Sequence, residues 1–309
     1  VRAEQFLRTT LELFDSWEGD EIVADKSTGV FLGDPRAGAF EHHDEHFDIA
    51  GQFNVPRAPQ GRPVIFQAGD SNEGREFAAS SADAIFGRYG TLTEGQAFYT
   101  DVKDRLSRYG RTHDQLLILP AATFVLGDND ADADELAREV RLQQVSGQTA
   151  IRFLEQVWNR DLSAYDPDGP LPAIDPDLGE HTVAAGRASV RMYRDPLATA
   201  TEWRQRAAAE SLSIRQLIIE VTGRQAFVGA PATVAADIDE LVQKDAADGF
   251  ILVPHITPGG LDQFADTVVP MLQERGVFRS EYEGSTLRDH LGIGSPTIGN
   301  RSTIDRAAS

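Results

Sequence analysis

Hydrophobic and polar positions recur at two periods along this chain of 309 residues, and the switches between them mark out its elements. At the start, Phe6, Thr10, Leu13 and Trp17 fall at helical spacing, with Leu7, Leu11 and Phe14 widening the apolar stripe. That pattern predicts an amphipathic helix. So much apolar surface with no preceding element reads as the middle of a domain, so a chain opening at Val1 is expected to lack its true beginning. Residues 19–62 are rich in glycine, proline and charge and show no period, which predicts a long surface excursion with one short strand pair near 47–55. Apolar runs of the buried-strand type follow at 63–68, 82–86 and 116–125, separated by helical patterns at 72–81 and 94–109. Strands alternating with helices predict parallel βαβ units and an α/β architecture.

The alternation breaks at Asp128. From there to about 221 the pattern predicts a long helix over 131–160, a Pro/Asp-rich loop around 166–178 and a second helix over 197–222. A helical insertion of that size, 128–221, suits a cap over a ligand site or an oligomer contact. The sequence Gly229-Ala-Pro-Ala-Thr then starts a helix through Lys244, followed by a strand at 249–253 and a closing helix at 261–275. After Ser280 periodicity fades into a surface strap, with a disordered tail expected from 295. The domain is therefore 1–294, with 295–309 as tail. Four buried strands make half of a (β/α)8 barrel or most of a small doubly wound sheet.

Composition narrows the partners. Lys and Arg total 29 against 49 Asp and Glu, a formal charge of -20, which repels nucleic acid and anionic lipid. There is no cysteine, so disulfides, thiolate metal sites and cysteine nucleophiles are excluded, in keeping with a reducing cytoplasm. No apolar run approaches the roughly 18 residues of a membrane span.

The segment 63–74, PVIFQAGDSNEG, carries the most chemistry. It reads as strand, tight glycine turn and helix N-terminus, where unpaired backbone N–H groups and a partial positive charge attract a phosphate. Ser71 is either a phosphate ligand or an ordinary helix cap on these residues alone. Strand ends supply further candidates. His255 is a possible general base or donor to substrate, and equally a packed or solvated loop residue. Arg88 and Tyr89 are placed to contact an anion or an aromatic ring. His42, His43 and His46 share a metal only if helical; on a strand His42 and His46 lie about 13 Å apart. They are expected in a solvated loop, and no metal site is assigned. The acidic run from Asp128 lacks the glycine and the terminal glutamate of a calcium loop, and suits a helix N-terminus.

Taken together, several stretches resemble the flavin-dependent monooxygenases of the bacterial luciferase-like superfamily, in the branch of the nitrilotriacetate, dibenzothiophene-sulfone and long-chain alkane monooxygenases. They are FLRTTLELFDSWE at 6–18, FDIAGQFNVPRAPQGRPVIFQAGDSNEG at 47–74, FVGAP at 227–231 and GFILVPHITPGGLDQFADTVVPMLQERGVFR at 249–279, with EYEGSTLR following at 281–288. The resemblance implies the C-terminal half of a (β/α)8 TIM barrel, strands five to eight, with about 150 upstream residues absent, on the order of half a barrel. It implies a two-component enzyme in which reduced FMN, supplied by a separate flavin reductase, reacts with O2 to a C4a-(hydro)peroxide that oxygenates a small organic substrate. Ser71 matches the family's phosphate-contacting serine, with the backbone of Gly69 and Asn72 beside it; Asp70 adds negative charge there unless its carboxylate turns away as a cap. The insertion 128–221 would be the lid. The full-length protein is expected to be a homo-oligomer, and the chain alone inactive and poorly soluble or oligomeric. The alternatives are a deazaflavin-dependent oxidoreductase of the same superfamily and a non-catalytic phosphate- or anion-binding barrel.

Overall fold

The opening stripe folds as α1 (Arg2–Phe14) in the computed structural model, which describes residues 1–69, 71–87, 89, 91–179, 195–223, 226–294 and 296. Trp17, just past the helix, is buried and donates its indole N–H to the Phe53 carbonyl at 2.8 Å. Gly38 sits beneath that contact at φ +78°, and a Cβ there would lie 2.1 Å from Phe53 O, so only glycine fits.

The excursion at 19–62 holds two antiparallel hairpins where one strand pair was expected. β1 (Ile22–Asp25) pairs with β2 (Val30–Leu32), and β3 (Ala39–His43) with β4 (Asp48–Gln52) in the register His42 opposite Ile49. Every residue of β1 is exposed, so no buried face imposes the two-residue alternation that betrays a strand. The first turn is held instead by Asp25, whose carboxylate accepts from the hydroxyls of Ser27 and Thr28; these bonds draw its pKa down to about 2.

The α/β part follows the expected order with sharper limits: β5 (Phe66–Ala68), α2 (Asn72–Ser81), β6 (Ala84–Phe86), α3 (Leu92–Leu106), β7 (Leu117–Ile118) and β8 (Ala121–Leu126). β5, β6 and β7 form a parallel sheet, with Phe66 opposite Ala84 and Ile85 opposite Ile118. The run 116–125 divides at Pro120, which has no N–H for a ladder and whose carbonyl accepts the Ile251 N–H at 3.0 Å.

Next come α4 (Asp130–Gln144), α5 (Gly147–Trp158), α6 (Pro196–Glu210) and α7 (Ile214–Thr222). Both predicted long helices are thus split in two. Ser146 caps α5 by accepting from Thr149 N–H; Ser213 and Gln216 form a reciprocal capping box at the start of α7. The chain ends with β9 (Phe227–Gly229), α8 (Pro231–Gln243), β10 (Ile251–Pro254), α9 (Gly260–Glu274) and α10 (Leu287–Leu291). β9 adds a strand to those expected; its apolar run, Ala226 to Val228, is cut off at once by Gly229 and Pro231. α10 corrects the reading of 280–294 as an unpatterned strap: Thr286 and Asp289 form its capping box, and buried Arg288 pairs with Asp83.

Two compact units result. The first contains 1–122, 235–253 and the chain from 269. Its core packs Ala78, Ala79, Ile85, Val102, Leu106, Leu116 and Ile118. The second contains 123–234 and 254–268. There β8 pairs in parallel with β9, Phe124 opposite Phe227, and Leu154, Trp158, Trp203, Ile214, Leu217 and Ile218 form the core of α5, α6 and α7. Among the described residues no set of strands closes into a barrel, and no helix is long and apolar enough to cross a membrane. Asp70, Arg88 and, save Pro296, the tail from 295 lie outside the described residues.

Candidate functional site

The β5–α2 turn brings Gly69, Ser71 and Asn72 together in the first unit. Ser71 is the N-cap of α2, with extended backbone (φ -66°, ψ 159°) and its Oγ accepting the Gly74 N–H at 3.1 Å. That bond uses the hydroxyl as an acceptor, so its own proton is still available to donate. The cap and the anion ligand are therefore compatible roles for one side chain. Ser71 and Asn72 are both exposed. The Asn72 side chain is turned back into the protein, where its Oδ1 accepts from Arg105 Nη2 at 2.9 Å. Only its backbone faces the role first given to it.

Gly74 belongs to this turn and escaped the sequence reading. A Cβ there would stand 3.1 Å from Gly69 O and 3.3 Å from Ser71 Oγ, so a side chain would crowd the turn that Ser71 closes. The signal was a glycine in the first turn of a helix, where propensity disfavours it. Arg105 is the second omission. It donates to Asn72 O at 3.1 Å and to Glu76, and binds Asp101, fixing the start of α2 onto α3. Burial opposes its charge, but the Asp101 and Glu76 carboxylates outweigh that and raise its pKa.

Tyr89 is a packing residue. Its hydroxyl donates to the Ala246 carbonyl and its ring lies 5.7 Å from that of Phe98, so neither end is free for an anion. Burial raises its pKa above the ordinary phenol value, with Asp248 adding to the effect.

His255 lies in the second unit, just past β10, and its Nδ1 is 3.1 Å from the Phe124 carbonyl. A carbonyl only accepts, so Nδ1 carries a proton in this contact, which leaves Nε2 as the ring nitrogen turned to other partners.

The histidine cluster is a solvated loop only at His46, which is exposed in the turn between β3 and β4. His42 lies on β3, is buried, and links that hairpin to α1: Nδ1 is 2.7 Å from Glu12 and Nε2 is 2.8 Å from Asp44 and 3.0 Å from Thr9. Burial works against its charge, but the hydrogen bonds it donates to Asp44 and Glu12 prevail and raise its pKa. His43 is exposed between Glu41 and Asp48. The acidic run caps helices. Asn129 accepts from Asp132 N–H at the start of α4, and Asp130 Oδ1 accepts from Ala230 N–H and the Thr233 hydroxyl, both at 2.8 Å.

The profile of the luciferase-like monooxygenase family matches residues 25–249. The chain belongs to this family. It is 38% identical over 300 residues to nitrilotriacetate monooxygenase component A of Aminobacter aminovorans, an alignment covering 96% of this chain and 63% of that protein. The crystal structure of DmoA from Hyphomicrobium sulfonivorans superposes with a TM-score of 0.73 at 26% identity, over 99% of this chain and 62% of that one. Riboflavin lyase RcaE, solved with modified FMN and its substrate riboflavin, superposes with a TM-score of 0.68 at 28% identity, over 94% of this chain and 61% of that one. The α/β fold is thus that of luciferase-like monooxygenases. The chain spans less than two thirds of the length of these relatives.

Proposed function

We propose that this chain is part of a cytoplasmic two-component monooxygenase that uses reduced FMN and O2 to oxygenate a small organic substrate. The observation that carries the proposal is the β5–α2 turn, in which Gly69, the exposed Ser71 cap and Gly74 shape a helix N-terminus whose first turn also carries the acidic Glu73. A phosphate fits that geometry through helix-terminus N–H groups and a hydroxyl donor. Family membership and the modified FMN in riboflavin lyase support flavin as its bearer.

In this reading Ser71 donates to the FMN phosphate, with backbone N–H groups of the Gly69–Asn72 turn beside it. Bound reduced flavin would supply the electrons that activate O2. The protein's own work is to fix the flavin, exclude water and position the substrate. The strands correspond to the later part of a (β/α)8 barrel within a domain over 1–294, and the insertion 128–221 is the lid. His255 Nε2 is the candidate acceptor for a substrate proton. Remaining flavin contacts fall in the third of the relatives that this chain does not match, so the chain alone is inactive. A flavin reductase provides reduced FMN, in line with the "component A" designation of the nitrilotriacetate enzyme, and the full-length protein is a homo-oligomer.

Anaerobic titration of the full-length protein with reduced FMN and with a reduced deazaflavin cofactor tests this. Preferential, saturable binding of reduced FMN is expected. A preference for the deazaflavin, or binding of neither, overturns the proposal.

A further inference from the structure

Along α5 in the second unit lies a cavity of about 590 Å³, within the size range of small-ligand sites. Gln148, Arg152, Glu155, Asp161, Ser163 and Tyr165 line it. Its walls are fixed by backbone bonds. The Pro167 carbonyl, on one wall, accepts from Arg215 N–H at 2.8 Å, and the Gly169 carbonyl accepts from Ile214 N–H at 2.9 Å. Pro167 also packs so closely on Gly147 that a Cβ there would lie 2.8 Å from its ring. The concavity is therefore built into the packing of α5 against the loop.

Glu155 is the informative residue. Its side chain is only 5% exposed. One carboxylate oxygen, Oε1, accepts the Leu162 N–H at 2.9 Å. The other, Oε2, is buried with no hydrogen-bond partner among the described residues. Its nearest cation is the Arg152 guanidinium at 3.6 Å, too long for a hydrogen bond, and Arg152 itself is 62% exposed. Arg152 thus offsets the charge but leaves the acceptor unsatisfied, a costly state for a buried carboxylate. The rest of the lining suits the same ligand chemistry. The Asp161 carboxylate is held below the usual range by the Ser163 hydroxyl and N–H and stays ionised, and the partly buried Tyr165 ring offers a face to a cation.

We infer that the α5 cavity binds a small organic cation of the guanidinium or amine class, which donates an N–H to Glu155 Oε2 in place of Arg152. The exposed arginine is then a resident stand-in for the ligand. Its side chain swings into solvent when the ligand enters, uncovering the oxygen it now screens. The site is independent of the flavin assignment, since none of its lining residues belongs to the β5–α2 turn.

The test is a titration of this chain with methylguanidinium chloride, followed by NMR shifts of α5 amides against matched sodium chloride, with neutral methylurea as a second control. Saturable binding of methylguanidinium alone is expected. Glu155→Gln keeps the acceptor for Leu162 N–H but removes the charge, and should weaken binding at least tenfold. Arg152→Gln removes the internal competitor and, read on protein whose circular dichroism shows it folded, should tighten binding severalfold. Shifts no larger than those with sodium chloride, equal response to methylurea, or weaker binding by Arg152→Gln would each overturn the inference.

Discussion

Asp248 gathers more of the first unit's polar bonding than its place in a short loop before β10 suggests. Its Oδ2 accepts the Ile118 N–H at 2.7 Å and meets Lys103 Nζ at 2.8 Å, while Oδ1 accepts the Tyr99 hydroxyl at 3.0 Å. Lys103 is almost wholly buried; its ammonium also donates to the carbonyls of His113 and Leu116, both at 2.7 Å, and lies 4.9 Å from the centre of the Tyr99 ring. Asp248→Ala leaves that ammonium buried without a counterion and orphans the Ile118 N–H in the sheet. Removing one partner of a buried ion pair costs about 3–5 kcal/mol. Lys103→Met is milder, because Asp248 retains two donors. It forfeits the two hydrogen bonds to carbonyls, at about 1 kcal/mol each. In the double variant the stranded charge is gone, so the losses should fall short of their sum by about 1–3 kcal/mol. Urea unfolding of the four proteins, read by circular dichroism, gives each value. A loss below about 1 kcal/mol for Asp248→Ala, or strict additivity, would refute the claim that this pair is a buried structural hub.

Three further outcomes follow from other parts of the chain. Leu217, fully buried in the core of α5, α6 and α7, should cost about 2–5 kcal/mol when truncated to alanine, measured by urea unfolding with Trp158 and Trp203 fluorescence as the local probe. Ser71→Ala removes the α2 cap and should cost about 0.5–2 kcal/mol in the same assay, whatever the flavin does. His42 has a raised folded pKa, so its stabilising contribution is complete below the unfolded value near 6.5 and disappears as pH rises through the folded value. Urea midpoints measured from pH 5 to 9 should therefore decline with rising pH, and His42→Phe should flatten that decline; an unchanged slope in the variant would exclude the mechanism.

The parts of this fold that were legible in the sequence are those with two-sided constraints. α2 was readable from its start, where Ser71 is the cap, and from the apolar stretch with the buried Ala78 and Ala79 that follows. The buried runs at β6 and β8 stood out because they are apolar almost throughout, whereas β5, also expected to be buried, leaves Phe66 exposed at the edge of its sheet. What escaped was encoded by single side chains. Ser146 and Ser213 split helices whose apolar stripes run on without interruption, so periodicity missed a break that cap chemistry fixes. β1 and β2 are exposed and carry no hydrophobic alternation. His42 looked like one more polar loop residue, because the partners that justify its burial, Glu12 and Thr9, lie about thirty positions earlier on α1. At the candidate site, Ser71, Gly69 and Asn72 were visible from the glycine turn, whereas the need for Gly74 is a close-approach effect seen only in three dimensions.

The central claim is that the β5–α2 turn holds the phosphate of a flavin. Its most direct test compares FMN with riboflavin, which lacks the phosphate, on the full-length protein as parent and on its Ser71→Ala variant. The account predicts tighter binding of FMN by the parent and a roughly tenfold or greater loss of FMN affinity in the variant, as expected for a charge-assisted hydrogen bond, with riboflavin affinity unchanged. Equal affinity of the parent for the two flavins, or an FMN affinity indifferent to Ser71, would contradict it.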